Sequence, residues 1–220
     1  MATDSAERRQ IPLRGILYML ATAVVVFPLL NASVKFLAAD YSLVQIIWVR
    51  SIVHFLWMVM LFMPGMGWQL FRTQRLGLQL TRSALQLFAL IAFVIGLVFL
   101  PMTTATSIYF TGPLMVVALA VPLLGERVGL RRWLAVLVGF LGALVIIRPG
   151  FEGMHWAALS LIASAFFYAL YQILTRRAAD HDDFRVSAVY TIVIALVISS
   201  IAVPFYWETP TGWLDWLVFS

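Results

Sequence analysis

The chain has 220 residues, 63% of them hydrophobic and 11% charged, with a mean hydropathy of +0.96; this is far from the mix of a soluble domain and reads as an integral membrane protein. The formal charge of +5 does not point to nucleic acid, because the arginines fall singly or in pairs between apolar runs and form no basic face. With no cysteine, a disulfide framework, a thiolate metal site and a cysteine nucleophile are all excluded, and no cofactor is implied.

Residues 1–12 are a short polar arm. Seven apolar runs follow that are long enough to cross about 30 Å of hydrocarbon. They are Leu13 to Ala38, Leu43 to Met63, Ser83 to Leu100, Thr104 to Leu124, Trp133 to Ile147, Trp156 to Thr175 and Val186 to Phe205. An eighth begins near Gly212 and reaches Ser220 at less than half the length of a span. The expected fold is all-α: a polytopic helix bundle of seven complete transmembrane helices plus a partial eighth.

Lys and Arg accumulate in short cytoplasmic loops. Arg8, Arg9 and Arg14 precede span one; Arg72, Arg75 and Arg82 join spans two and three; Arg127, Arg131 and Arg132 join four and five; Arg176, Arg177 and Arg185 join six and seven. All four groups share one side, which predicts a cytoplasmic N-terminus. Trp68 and Trp133 mark the inner headgroup level, and Trp156, Trp207 and Trp213 the outer one. Ala135, Gly139, Gly142 and Ala143 give span five a small-residue face for close helix contact.

Ionisable groups inside spans usually face a bundle interior or a cavity. In "LNASVKF", Asn31 and Lys35 share one face near the end of span one. Arg50 lies about 10 Å below the outer boundary of span two by helical rise, with His54 one turn deeper. An antiparallel hairpin of the two spans would let them converge. Lys35 snorkelling to the headgroups, Arg50 pairing with lipid phosphate and His54 satisfied by a neighbouring helix are the structural alternatives. Span four carries Tyr109 and Thr111 before Gly112-Pro113, where the missing N–H kinks the helix; that kink lines a cavity or is merely structural. Span six shows a polar stripe, Ser160, Ser164, Tyr168, Tyr171, Gln172 and Thr175, which serves either a cavity or interhelical hydrogen bonding. Glu126 reads as an interfacial ion pair with Arg127 and Arg131, and Asp180-His181-Asp182-Asp183 as a solvated turn in preference to a metal site.

A shift of 141 residues places Asn31 on Gln172 and Lys35 on Arg176, each pair closing the first span of a unit. Five spans separate the copies, so the second runs in the opposite sense, as in inverted-repeat transporters. The segment Gly96 to Gly150 contains Pro113 in span four, "LGER" at Leu124 to Arg127 and a glycine-bearing fifth span ending in "RPG". Together with "IIWVRS" and "FFYALYQILTRR", it resembles the EamA branch of the drug/metabolite transporter superfamily. The resemblance implies a ten-helix carrier of two five-helix halves, with one repeat at residues 13–150 and an incomplete second at 151–220. Helices nine and ten are missing from this sequence.

The leading expectation is therefore a metabolite carrier working by alternating access in a bacterial cytoplasmic (inner) membrane, multi-pass in the lipid bilayer and compatible with a homodimer. Its substrate site draws on Asn31, Lys35, Arg50, His54, Tyr109, Pro113, Tyr168, Tyr171 and Gln172. None of the ten acidic residues lies deep in the seven spans, so an anionic, zwitterionic or neutral aromatic small molecule fits better than a cation. A truncated, non-transporting protein or a half-carrier needing a partner is the second reading. An intramembrane enzyme is a remote third, since neither a His-Glu-x-x-His nor a Gly-x-Ser-x-Gly motif is present.

Overall fold

The computed structural model describes residues 17, 20, 22–109, 111–125, 129–147 and 156–210, and every regular element among them is helical. The N-terminal arm, Glu126, Arg127, the "RPG" at 148–150, Trp213 and the eighth apolar segment lie outside the described residues. Among the described residues, five stretches are long and apolar enough to cross a membrane: Leu43–Phe71, Leu76–Phe99, Met102–Leu124, Ala157–Ala178 and Phe184–Phe205. The chain is thus a polytopic helical membrane protein.

Helix α1 (Phe27–Leu37) follows a π-helical turn, Thr22–Val26. Pro28 sits in its first turn and has no N–H to return to the preceding turn, the usual setting for a ladder slip. Helix α2 (Leu43–Met66) starts at Ser42, whose hydroxyl accepts from the Gln45 N–H at 3.3 Å. It runs three residues beyond the expected Met63, through Pro64, and a 3₁₀ turn, Gly67–Phe71, follows. Gly67 has φ +55°, a conformation that favours glycine.

Helix α3 (Leu76–Phe99) begins seven residues before the expected Ser83. Arg82 is therefore an inner-face helical residue, only 1% exposed, and not a loop cation. Charge counting treats each arginine as a loop marker; it cannot register that Gln79, Thr175 and Ser187 supply this one with hydrogen bonds inside the bundle. The fourth span is broken into α4 (Met102–Tyr109) and α5 (Gly112–Leu124), and α6 (Leu130–Ile147) and α7 (Ala157–Ala178) follow.

The last described span is also two helices, α8 (Phe184–Tyr190) and α9 (Val193–Ala202). No proline or glycine causes this break. Ser83 of α3 holds it open: its buried hydroxyl accepts from the Ile194 N–H at 3.0 Å and donates to the Thr191 carbonyl at 3.1 Å. Backbone groups freed at membrane depth persist only when another helix satisfies them in this way.

The bundle is organised on α3, which packs against α7 along much of its length, while α5 lies on the other side of α7 and α9 bridges α2 and α3. At the α3–α7 crossing, a Cβ on Gly96 would stand 2.3 Å from Leu161 Cγ, so the glycine permits the contact. Nearby, the Ser164 hydroxyl donates to the Ala89 carbonyl at 2.6 Å. In the small-residue stripe of α6, Gly139 meets Leu114 of α5, whereas Gly142 meets nothing within 4 Å.

The two ends of the bundle are tied by different loops. At one end the α2–α3 turn meets the α7–α8 turn: Asp182 accepts from the Thr73 hydroxyl (2.6 Å), the Gln74 N–H (2.8 Å) and the Gln79 amide (2.8 Å). At the other end the start of α2 meets the segment after α9. Ser42 donates to the Tyr206 carbonyl, and the Gln45 amide exchanges two hydrogen bonds with the Glu208 backbone.

Candidate functional site

The α1–α2 turn at Ala38–Ser42 makes the expected antiparallel pair, but a cleft of about 670 Å³ separates the helices. Leu30, Ser33, Val34 and Leu37 form one wall, and Val49, Arg50, Val53, His54 and Trp57 the other. Arg50 and His54 stand one turn apart on the same α2 face, as their spacing requires. The cleft thus places a guanidinium and an imidazole in a largely apolar trough.

Asn31 and Lys35 belong to the other face of α1 and do not line this cleft. Asn31 is 2% exposed, and its amide nitrogen has no hydrogen-bond partner. The Lys35 ammonium donates to the Leu100 carbonyl at 2.8 Å, the residue that caps the C-terminus of α3. A cation on those last carbonyls satisfies free acceptors and complements the helix dipole. Lys35 therefore neither snorkels nor meets Arg50; it ties α1 to the end of α3.

Tyr109, the last residue of α4, sits beside the Phe93 ring, with centroids 4.9 Å apart in an edge-on arrangement. It is within electrostatic range of Arg50. From there a file of rings runs into the bundle. Tyr109 lies 5.5 Å from Tyr168, Tyr168 lies 6.0 Å from Tyr171, and the Arg82 guanidinium stands 5.4 Å over the Tyr171 ring. These separations are those of interacting aromatic and cation–π pairs. The Gln172 amide donates to the Tyr168 hydroxyl at 2.5 Å and so fixes the middle ring.

At the break between α4 and α5, Thr111 and Gly112 are both buried, and Gly112 lies against Tyr168 of this file. Pro113 is exposed in the first turn of α5, a position where its missing N–H costs nothing. Of the expected residues, Tyr109, Tyr168, Tyr171 and Gln172 fall on one connected file, with Arg50 in electrostatic range of Tyr109 and His54 beside Arg50. Asn31, Lys35 and Pro113 stand off it.

Arg82 is the residue that sequence reasoning missed. One terminal nitrogen donates to Thr175 Oγ1 at 3.2 Å, and the other to Gln79 Oε1 at 2.9 Å and to the Ser187 carbonyl. Gln79 in turn reaches Asp182, so an amide stands between the arginine and that carboxylate. Asp182 lies outside the spans. Its partial burial opposes ionisation, but the hydrogen bonds from Thr73, Gln74 and Gln79, with His181 nearby, outweigh it and hold the carboxyl below its ordinary range. The available signal was "GLQLTRSALQLF", in which Gln79, Arg82, Ser83 and Gln86 recur at helical spacing among apolar residues.

Comparison with known proteins gives the context. The model of the EamA-like transporter family matches residues 13–148. Over 212 residues the chain is 26% identical to a riboflavin transporter of Vibrio cholerae, covering 94% of this chain and 70% of that protein. It is 29% identical over 148 residues to an S-adenosylmethionine uptake transporter of Rickettsia felis, covering 67% of this chain and 50% of that one. It is 25% identical over 184 residues to the pseudopaline exporter CntI of Pseudomonas aeruginosa, covering 83% and 63%. The chain spans about half the length of the S-adenosylmethionine transporter. No solved structure matches it.

Proposed function

Because the chain belongs to the EamA-like transporter family, whose members here are named as transporters and not as enzymes, we propose that it carries a small organic metabolite across the membrane by alternating access. The wider reading has seven spans and a partial eighth within a ten-helix plan of two inverted halves, one at 13–150 and the other beginning at 151. The N-terminus is cytoplasmic and the membrane a bacterial inner membrane, in keeping with the bacterial relatives. Those relatives are named for both uptake and export, so direction does not carry over.

One observation carries the site assignment: Arg50 and His54 stand in the α1–α2 cleft, and Arg50 is in electrostatic range of Tyr109, where the ring file begins. A guanidinium in a largely apolar trough selects a carboxylate or phosphate, and a ring file favours a solute with a planar face. Counterflow in proteoliposomes over a panel of anionic, zwitterionic and neutral aromatic metabolites tests the proposal. Accumulation of at least one solute, abolished by Arg50→Ala, is expected. If Arg50→Ala leaves transport of every accepted solute unchanged, this site is wrong.

A further inference from the structure

We propose that the cavity beside Arg82 is a second anion-binding station, which takes the carboxylate of a ring-bearing solute at the opposite end of the tyrosine file from Arg50. This rests on the transport reading above and names the substrate class for it. The cavity holds about 220 Å³ between α3, α7 and α8 and is lined by Arg82, Tyr171, Thr175, Ser187 and Thr191 among others. It has room for one carboxylate-bearing ring.

Three observations carry the assignment. First, Arg82 is 1% exposed, and its hydrogen-bond acceptors are a hydroxyl, an amide oxygen and a backbone carbonyl, all neutral. A buried cation that hydrogen-bonds only to neutral groups, with the Asp182 carboxylate acting on it across the Gln79 amide, is costly, and a neutral donor would have served a structural tie at less expense. Second, its Nε is buried with no hydrogen-bond partner, an unsatisfied donor on the arginine that lines the cavity. Third, the guanidinium stands 5.4 Å over the ring of Tyr171, the last ring of the file. The arginines at either end of Tyr109, Tyr168 and Tyr171 give an acidic solute one charged station on each side of the aromatic stretch.

The test uses the whole chain in phosphatidylcholine nanodiscs with 4-azidobenzoate as photolabel and 4-azidobenzamide as its uncharged control. Labelling by the carboxylate on peptides that contain Tyr171 to Thr175 or Ser187 to Thr191, competed by benzoate, is expected. The amide should leave those peptides unlabelled. In Arg82→Gln the carboxylate label should fall about tenfold, the loss of one charge-assisted hydrogen bond, and Arg82→Lys should restore part of it. Equal labelling by the amide, no label on these peptides, or full labelling in Arg82→Gln would overturn the proposal. The wild-type arms decide it even if Arg82→Gln fails to fold. Competition by added phosphatidylglycerol, and not by benzoate, would give the cavity to a lipid headgroup and also overturn it. Counterflow read in parallel separates the two ideas. Labelling without counterflow refutes the transport reading alone, and counterflow without labelling refutes this station alone.

Discussion

At Gly96 the two principal helices are in close contact, and Gly96→Ala measures how tightly. The added methyl would lie 2.3 Å from Leu161 Cγ and 2.5 Å from Cδ2, more than 1 Å inside the usual carbon contact of about 3.5 to 4.0 Å. Leu161 is 0% exposed, and the nearest atom is its branch carbon, so α3 and α7 must move apart. Overpacking of this kind costs about 1–3 kcal/mol, while alanine returns at most about 1 kcal/mol of helix propensity. The net expectation is a loss of about 1–2 kcal/mol, a factor of roughly 5 to 30 in the folded-to-unfolded ratio. Denaturation by sodium dodecyl sulfate, followed by far-ultraviolet circular dichroism, reads this directly. Gly77→Ala, where nothing lies within 4 Å, is the control and should be neutral or slightly stabilising. Adding Leu161→Ala to Gly96→Ala should relieve the clash, so the pair is less costly than the sum of the two. Strict additivity, or Gly96→Ala matching Gly77→Ala, would refute the close crossing.

Ser83→Ala removes both hydrogen bonds that hold the α8–α9 break; it should cost about 1–3 kcal/mol for each buried group left unsatisfied, and amide exchange at Ile194 should accelerate. Asp182 gives a pH prediction. Its folded pKa is lowered, so its contribution is fully present above the unfolded value of about 3.9 and is lost as pH falls through the lower folded one. Thermal unfolding should show wild-type stability declining on that acid side. Asp182→Asn should flatten the decline; an unchanged profile would remove Asp182 from the account.

Element existence was legible where a single physical cause sufficed. Runs such as Leu43 to Met63 and Trp156 to Thr175 announce themselves by length and hydropathy, and α2 and α7 cover them. Arg50 was legible because a guanidinium so deep in a span has few other uses. What failed needed a partner from elsewhere in the chain. Arg82 counts as a topology signal until Gln79, Thr175 and Ser187 surround it. Lys35 looks like a cavity residue until the Leu100 carbonyl claims it. Pro113 marks the break in span four correctly, yet the residue that meets the ring file there is its neighbour Gly112, against Tyr168. The interruption near Thr191 carries no local breaker at all, because its cause is Ser83, more than a hundred residues earlier.

That hydroxyl has a mechanical consequence. A helix interrupted by its own proline can flex alone, but one whose free backbone groups are held by a distant side chain bends only together with the holder. Sliding α9 past α3 would strip the Thr191 carbonyl and the Ile194 N–H of their partner where no water replaces it. With α7 locked to α3 at Gly96, the helices α3, α7 and α9 form a single strut. Helix α1 is joined to that strut by the Lys35 hydrogen bond to the Leu100 carbonyl, and it faces α2 across the cleft that holds Arg50.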